Sequence, residues 1–229
     1  MRSAHAVVAA DPVLAAGIGV RRGMRWAVRA ASFRVGAPMP GRSALGILYV
    51  QPAQAGALID VLAGAARPAY GELRVLGQDM TTARGRRAVR SRVGVARRHA
   101  RLLPGMRVRG LVEHAARRTQ LAGGDRQVLA AAILDRLSLS PWAEVPVRLA
   151  PDAVARRARL AAAAVCQPEL LLLDGLLDGL TGRDMRALAE AINDLSRDAG
   201  VLLTGLDMRA LELVCDDIMV LVDGVLVSG

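Results

Sequence analysis

The chain has 229 residues, enough to bury a sizeable core as one domain, and is 53% hydrophobic but only 2% aromatic, which leaves Leu, Val and Ala to form that core. Its formal net charge of +10 comes from arginine without a single lysine, and it is uneven: Met1 to Gln120 carries 21 Arg against 5 acids, Leu121 to Gly229 10 Arg against 16. No apolar run reaches the about 18 residues of a membrane span, the opening MRSAHAVVAADP is too short in its apolar part for a secretory signal, and Cys166 and Cys215 have neither metal nor redox spacing. The expectation is a soluble, cytoplasmic protein with two buried thiols and one basic face turned toward something negative, or an arginine bias of coding origin.

In chain order, Leu14 to Val35 holds two short apolar segments around Arg21-Arg22-Gly23, which predicts an antiparallel pair, with Trp26 either packed in a strand or offered as a platform for a base. Gly36 to Arg42 is a turn-rich connector. Leu45 to Val50 predicts the first central strand, followed by a loop and a helix from about Ala57 to Gly64. Tyr70 to Asp79 gives a turn and a further strand. Arg84 to Arg101 has eight arginines in eighteen residues. It reads as a solvated helix and strand rim or a protein contact, or as a patch for nucleic acid or lipid headgroups, though without the interleaved aromatics that stack on bases.

Two helical patterns follow, Val108 to Leu121 and Arg126 to Leu137, separated by Gly123-Gly124. Pro151-Asp152 make a helix start, and an apolar helical run leads through Gln167-Pro168-Glu169 into Leu170 to Leu173. Four consecutive leucines predict a strand buried on both faces of a parallel sheet. Asp174 at its C-terminal tip stands where such sheets bind ligands. Thr181 to Asp198 is an amphipathic helix with Met185, Leu188, Ile192 and Leu195 on one face, Val201 to Thr204 a strand, and Met208 to Cys215 a helix before a hairpin turned at Asp223-Gly224. His5, His99 and His114 form no pair at ligand spacing.

The segments LGILYVQPAQAGALIDVLAGAARPAYGELRVLGQD, Leu45 to Asp79, and RLAAAAVCQPELLLLD, Arg159 to Asp174, resemble the two halves of an ABC-transporter ATP-binding cassette in order and spacing, and the resemblance runs from roughly Val20 to Gly229. It implies an α/β fold of the P-loop NTPase type: a central, mostly parallel sheet flanked by helices, an N-terminal antiparallel β part, and a small helical lobe at about residues 103–158 inserted in a single domain over residues 1–229. It also implies a membrane permease or another cassette as partner and a cytoplasmic position at the inner face of the membrane; the lack of interleaved aromatics in Arg84 to Arg101 speaks against nucleic acid as the partner.

Set against the family's GxxxxGK followed by Ser or Thr, Tyr49 to Ala57 reads YVQPAQAGA. A phosphate loop works because glycines let successive N–H groups point at the phosphates, a lysine offsets their charge and a hydroxyl holds magnesium. The corresponding positions are Gln51, Pro52, Ala53, Gln54, Ala55, Gly56 and Ala57: Pro52 has no N–H, Ala55 no charge, Gly56 and Ala57 no hydroxyl. Only a helix N-terminus remains to attract an anion weakly. Arg22 falls at the family's adenine-stacking position, Arg98 at its glutamine, Ala150 to Val154 at its LSGGQ signature, Gly175 at its glutamate and Leu206 at its histidine. Asp174 alone is retained, as a metal-associated carboxylate or as a cap or core hydrogen-bonding group. The expectation is a degenerate cassette with no catalytic residue and no assigned cofactor, ATP and magnesium entering only through residual binding, and a non-hydrolysing regulatory or structural role. Two alternatives stay open: a working ATP-binding subunit that couples hydrolysis to transport, and an arginine-rich binder of anionic surfaces or nucleic acid.

Overall fold

The computed structural model describes residues 11–38, 44–100, 102–119 and 121–228. The first ten residues, with the signal-peptide question and His5, lie outside that set, as do most of the Gly36 to Arg42 connector and Arg101. The leucine run sets the architecture. Leu170–Asp174 forms β7, with Leu170 to Leu173 all at most 1% exposed. Alternating side chains along a strand point to opposite faces: Leu171 and Leu173 enter one core with the helices, Leu170 and Leu172 the other.

Around β7 the parallel strands β6 (Val93–Arg97), β8 (Gly200–Gly205), β3 (Ala44–Tyr49) and β9 (Asp217–Val222) line up in the order β9-β3-β8-β7-β6. Register is set by apolar pairs such as Leu172 with Leu202 and Val95 with Leu172. β10 (Val225–Ser228) returns antiparallel to β9 through Asp223 and Gly224, both at positive φ (48° and 82°), the twist that a two-residue hairpin turn requires. Beyond β10 come β2 (Arg25–Val35), β1 (Val13–Arg22), β4 (Tyr70–Val75) and β5 (Gln78–Asp79); β1 is antiparallel to both β2 and β4. The result is an α/β fold with a mixed, largely parallel sheet between helices and an antiparallel part built from the N-terminal strands.

Helices α2 (Ala83–Val89), α3 (Val108–Ala116), α5 (Asp152–Ala164) and α6 (Gly182–Leu195) start where the sequence suggests, α2 capped by Thr82, whose hydroxyl accepts the Gly85 N–H at 3.0 Å. Five helices depart from expectation in their bounds: α3 stops at Ala116 instead of Leu121 and α6 at Leu195 instead of Asp198, and three others differ as follows. Helix α4 runs Gly123–Arg136, so Gly123-Gly124 open a helix instead of separating two. The last helix, α7, stops at Glu212 instead of Cys215. Helix α1 begins at Pro52 and ends at Leu62, so the residues expected to form a loop before Ala57 are its first turns. Proline at the first helical position has its φ preset and its missing N–H costs nothing there, and the following Ala and Gln favour continuation. Among the described residues no helix is long and apolar enough to cross a membrane.

Candidate functional site

At the C-terminal ends of the parallel strands, where ligands collect on open α/β sheets, lies a cleft of about 320 Å³. Larger concavities sit elsewhere, one along α3 and one between α4 and the ends of α5 and α6. The strand ends deliver β3's Tyr49, β6's Arg97 and β7's Asp174 to one place, and Pro52, Ala53 and Gly56 of α1 form the facing wall.

Tyr49 is 5% exposed, and its hydroxyl donates to Asp178 Oδ2 at 2.7 Å. Burial, and then this bond, hold the phenol protonated well above its ordinary range. Asp178 is itself 3% exposed, and its other oxygen accepts the Leu206 N–H at 2.8 Å. Arg156 of α5 is completely buried: Nη1 donates to the carbonyls of Leu176 (2.9 Å) and Asp178 (2.6 Å), and Nη2 to the Asp152 carboxylate, which this bond holds below the usual carboxylate range. The loop after β7 is thus fastened from three sides. Gly175 within it has φ +65°, and a Cβ there would stand 2.9 Å from Asp178 Oδ2 and 3.3 Å from the Tyr49 hydroxyl, so only glycine fits the position as built.

Asp174 accepts from the Thr204 hydroxyl at 3.1 Å; burial raises its carboxyl, opposed by the charge of Arg97, its partner in the β6–β7 register. Arg97 also reaches Asp60 of α1 at 2.6 Å. The backbone N–H of Arg98 donates to the Asp174 carbonyl at 3.0 Å, while its guanidinium lies against Gly179. Arg22, at the rim, makes a long 3.4 Å bond to the Ala53 carbonyl.

The sequence-predicted positions separate. Pro52, Ala53 and Gly56 line the cleft; Gln54, Ala55 and Ala57 are buried on the inner side of α1. Gln51 occupies the N-cap without a side-chain bond, and the Gln54 N–H is spent on the Gln51 carbonyl at 3.0 Å. Gly56 keeps a telling place, since a Cβ there would lie 3.8 Å from Asp174 Oδ2. Trp26 packs edge-on against Tyr70 (5.3 Å between centroids) and is covered by Arg21 at 4.2 Å, outside the cleft. In the arginine-rich stretch, Arg86, Arg90, Arg92 and Arg97 tie down carbonyls or carboxylates of neighbouring segments. The sequence does not mark Tyr49, Asp178 or Arg156 as site residues: apart from Asp152, four residues before Arg156, their partners lie 20 to 129 residues away, and the repeated Asp-Gly in DGLLDG is a weak local signal.

A family model described as ABC transporter matches residues 56–177. The methionine import ATP-binding protein MetN of Streptomyces avermitilis is 28% identical over 71% of this chain and 50% of its own length. The daunorubicin resistance ATP-binding protein DrrA3 of Streptomyces coeruleorubidus is 31% identical over 76% of this chain and 55% of its own. The chain spans about half the length of the curated relatives it matches. Among solved structures, cbiO1 from Clostridium perfringens, part of the ABC transporter complex cbiONQ, superposes with a TM-score of 0.79 at 15% identity, covering 95% of this chain and 87% of that one. A dimeric bacterial ABC transporter cassette gives 0.80 at 14% identity, covering 93% and 96%. At such identities the structural likeness speaks for the fold.

Proposed function

The chain belongs to the ABC transporter family of ATP-binding cassettes, and from that premise we propose that it is a cassette subunit with a structural or regulatory part in a transport complex, one that does not hydrolyse ATP. The observation that carries this reading is the start of α1 at Pro52. With β3 ending at Tyr49, two residues connect strand to helix, and the stretch that would fold around phosphates is wound into the helix, with a proline where a donor is needed.

The remaining groups support it. Phosphoryl transfer depends on positioned phosphates, a metal and an oriented water. Gly56 brings no hydroxyl to a metal beside Asp174, and Arg97 already puts a positive charge there. A glutamate at Gly175 would need a left-handed backbone and the space of Asp178. The residues present do not fit a magnesium–ATP complex.

Membership of the family and the relatives' names, an import and a resistance ATP-binding protein, support a membrane permease or a second cassette as partner, at the cytoplasmic face of a membrane. We read residues 1–229 as one cassette domain with the helices of about residues 103–158 as a lobe within it; the core shared by α3, α4, α5 and β7 supports this. The retained Asp174, bonded to Thr204 at the right strand end, favours a second reading as a working ATP-binding subunit. Calorimetry and a turnover assay with ATP and magnesium separate the two. The expected result is no heat at micromolar nucleotide and no phosphate release above background; micromolar binding with turnover restores the working subunit.

A further inference from the structure

The aromatic side chains missing from the arginine-rich stretch stand on a different surface. Strands β1, β2 and β4 bury one face in the core they share with α1, and their alternate residues point the other way. Tyr70 of β4 pairs with Gly19 of β1, and its ring crosses that glycine to β2, where the hydroxyl accepts the Ala30 N–H at 3.1 Å. A Cβ at Gly19 would stand 2.2 Å from the ring, so glycine is what lets the phenol lie across the strand. Ala30 makes its bond from a φ of +47°, a backbone that favours glycine over alanine. Trp26 meets the ring edge-on and is itself covered by Arg21. Covering Gly19 uses one side of the ring, yet Tyr70 keeps 44% of its surface exposed. On the same face Leu14 is flanked by its cross-strand partners Arg34 and Arg74, and Arg29 lies beside Val225 of β10. Arg29, Arg34 and Arg74 make no hydrogen bond or ion pair among the described residues. Of the acids, Glu72 and Asp79 share the face, and Asp79 is held by Thr81.

We propose that this open sheet face binds single-stranded nucleic acid, with a base stacking on Tyr70 and the flanking phosphates meeting Arg29, Arg34 and Arg74. A fixed, exposed ring among unspent guanidinium groups matches the two features that a single strand repeats, a flat base and a phosphate. Carboxylate side chains of an acidic protein would match the charge and leave the ring without a flat partner. A lipid surface is entered by side chains that stand away from the protein, whereas this ring is tied down along the strands. Trp26, the residue weighed from sequence as a base platform, is here the buttress of the one that is exposed. Tyr70 and these arginines lie outside the cleft at the strand ends, so the inference stands apart from whatever that cleft does.

The test titrates the full chain into a short fluorescein-labelled oligothymidylate and follows anisotropy over a range of potassium chloride. The expected plot of log affinity against log salt has a slope of about −2 to −3, as three or four phosphate contacts give, and Arg34→Gln and Arg74→Gln each flatten it by about 0.7. Both variants melt at the native temperature, and Arg186→Gln on α6 binds like the native chain. Tyr70→Leu weakens binding about 5-fold or more with the slope unchanged, as loss of one stacked base predicts, while Tyr70→Phe keeps the ring and the affinity. A duplex of the same length, whose bases are already stacked on one another, competes about 5-fold less well or worse. The duplex and arginine arms decide the matter even where Tyr70→Leu unfolds. No binding at low salt, duplex bound as tightly as single strand, a slope unmoved by Arg34→Gln and Arg74→Gln, or a folded Tyr70→Leu with native affinity overturns the proposal. Equally tight binding to phosphatidylglycerol vesicles overturns it too, since the face would then be a lipid contact.

Discussion

Tyr49 and Asp178 are 129 residues apart in sequence and 2.7 Å apart in space, and each is buried on the assumption that the other is present. Removing the phenol oxygen leaves a buried carboxylate oxygen without its donor, which costs about 1–3 kcal/mol; Tyr49→Phe is expected to lose that much in urea denaturation at neutral pH. The pH dependence has a definite sign. Because the folded phenol is held protonated above its ordinary range, its contribution is complete below the unfolded value of about 10 and drains away as pH rises above it. Denaturation midpoints of the native chain should therefore fall more steeply above that pH than those of Tyr49→Phe; parallel curves would remove the burial argument. Asp174 was legible because it ends an unmistakable leucine strand. Tyr49, Asp178 and Arg156 were not, because a polar residue's importance depends on which distant group it meets, and no periodicity records that.

At the scale of elements, the instructive case is α1. Projecting a phosphate loop onto YVQPAQAGA predicts a helix from Ala57, whereas the local chemistry, a proline suited to the first helical position followed by alanines, starts it at Pro52. Gly123-Gly124 shows the same lesson in reverse, since glycines weaken a helix interior but are tolerated in an opening turn that carries Asp125. The strands and the hairpin were readable because their signals, a buried apolar run and Asp-Gly between alternating residues, are local. Helix α5 and the loop after β7 are joined by Arg156, whose guanidinium serves two carbonyls and a carboxylate from a fully buried position. Arg156→Leu is expected to destabilise the chain by about 3 kcal/mol or more, since two loop carbonyls lose their donor together. Equilibrium denaturation measures this, and a loss below about 1 kcal/mol would mean that water replaces the guanidinium without penalty.

For the whole molecule, the sheet divides the interior into two cores, one shared with the helices that follow β6 and one enclosed by α1 and the N-terminal strands. Stability is not uniform in such an arrangement: the elements covered on both faces open last. Hydrogen exchange is expected to be slowest in β3, β7 and β8, flanked on both sides by paired strands, and faster in β5 and α2 at the periphery. Equal protection throughout would contradict two cores meeting at these strands. The basic excess of the first half of the chain is partly spent within the molecule, because Arg86, Arg90, Arg92 and Arg97 hold carbonyls or carboxylates of neighbouring segments.

The two-residue link between β3 and α1 has a mechanical corollary. So short a tether gives the helix no slack to swing away from the sheet, and the opposite bank is riveted by Arg156 and Asp178. The cleft is therefore bounded by two fixed banks, a short-tethered helix on one side and a fastened loop on the other, and its width is set by the fold itself.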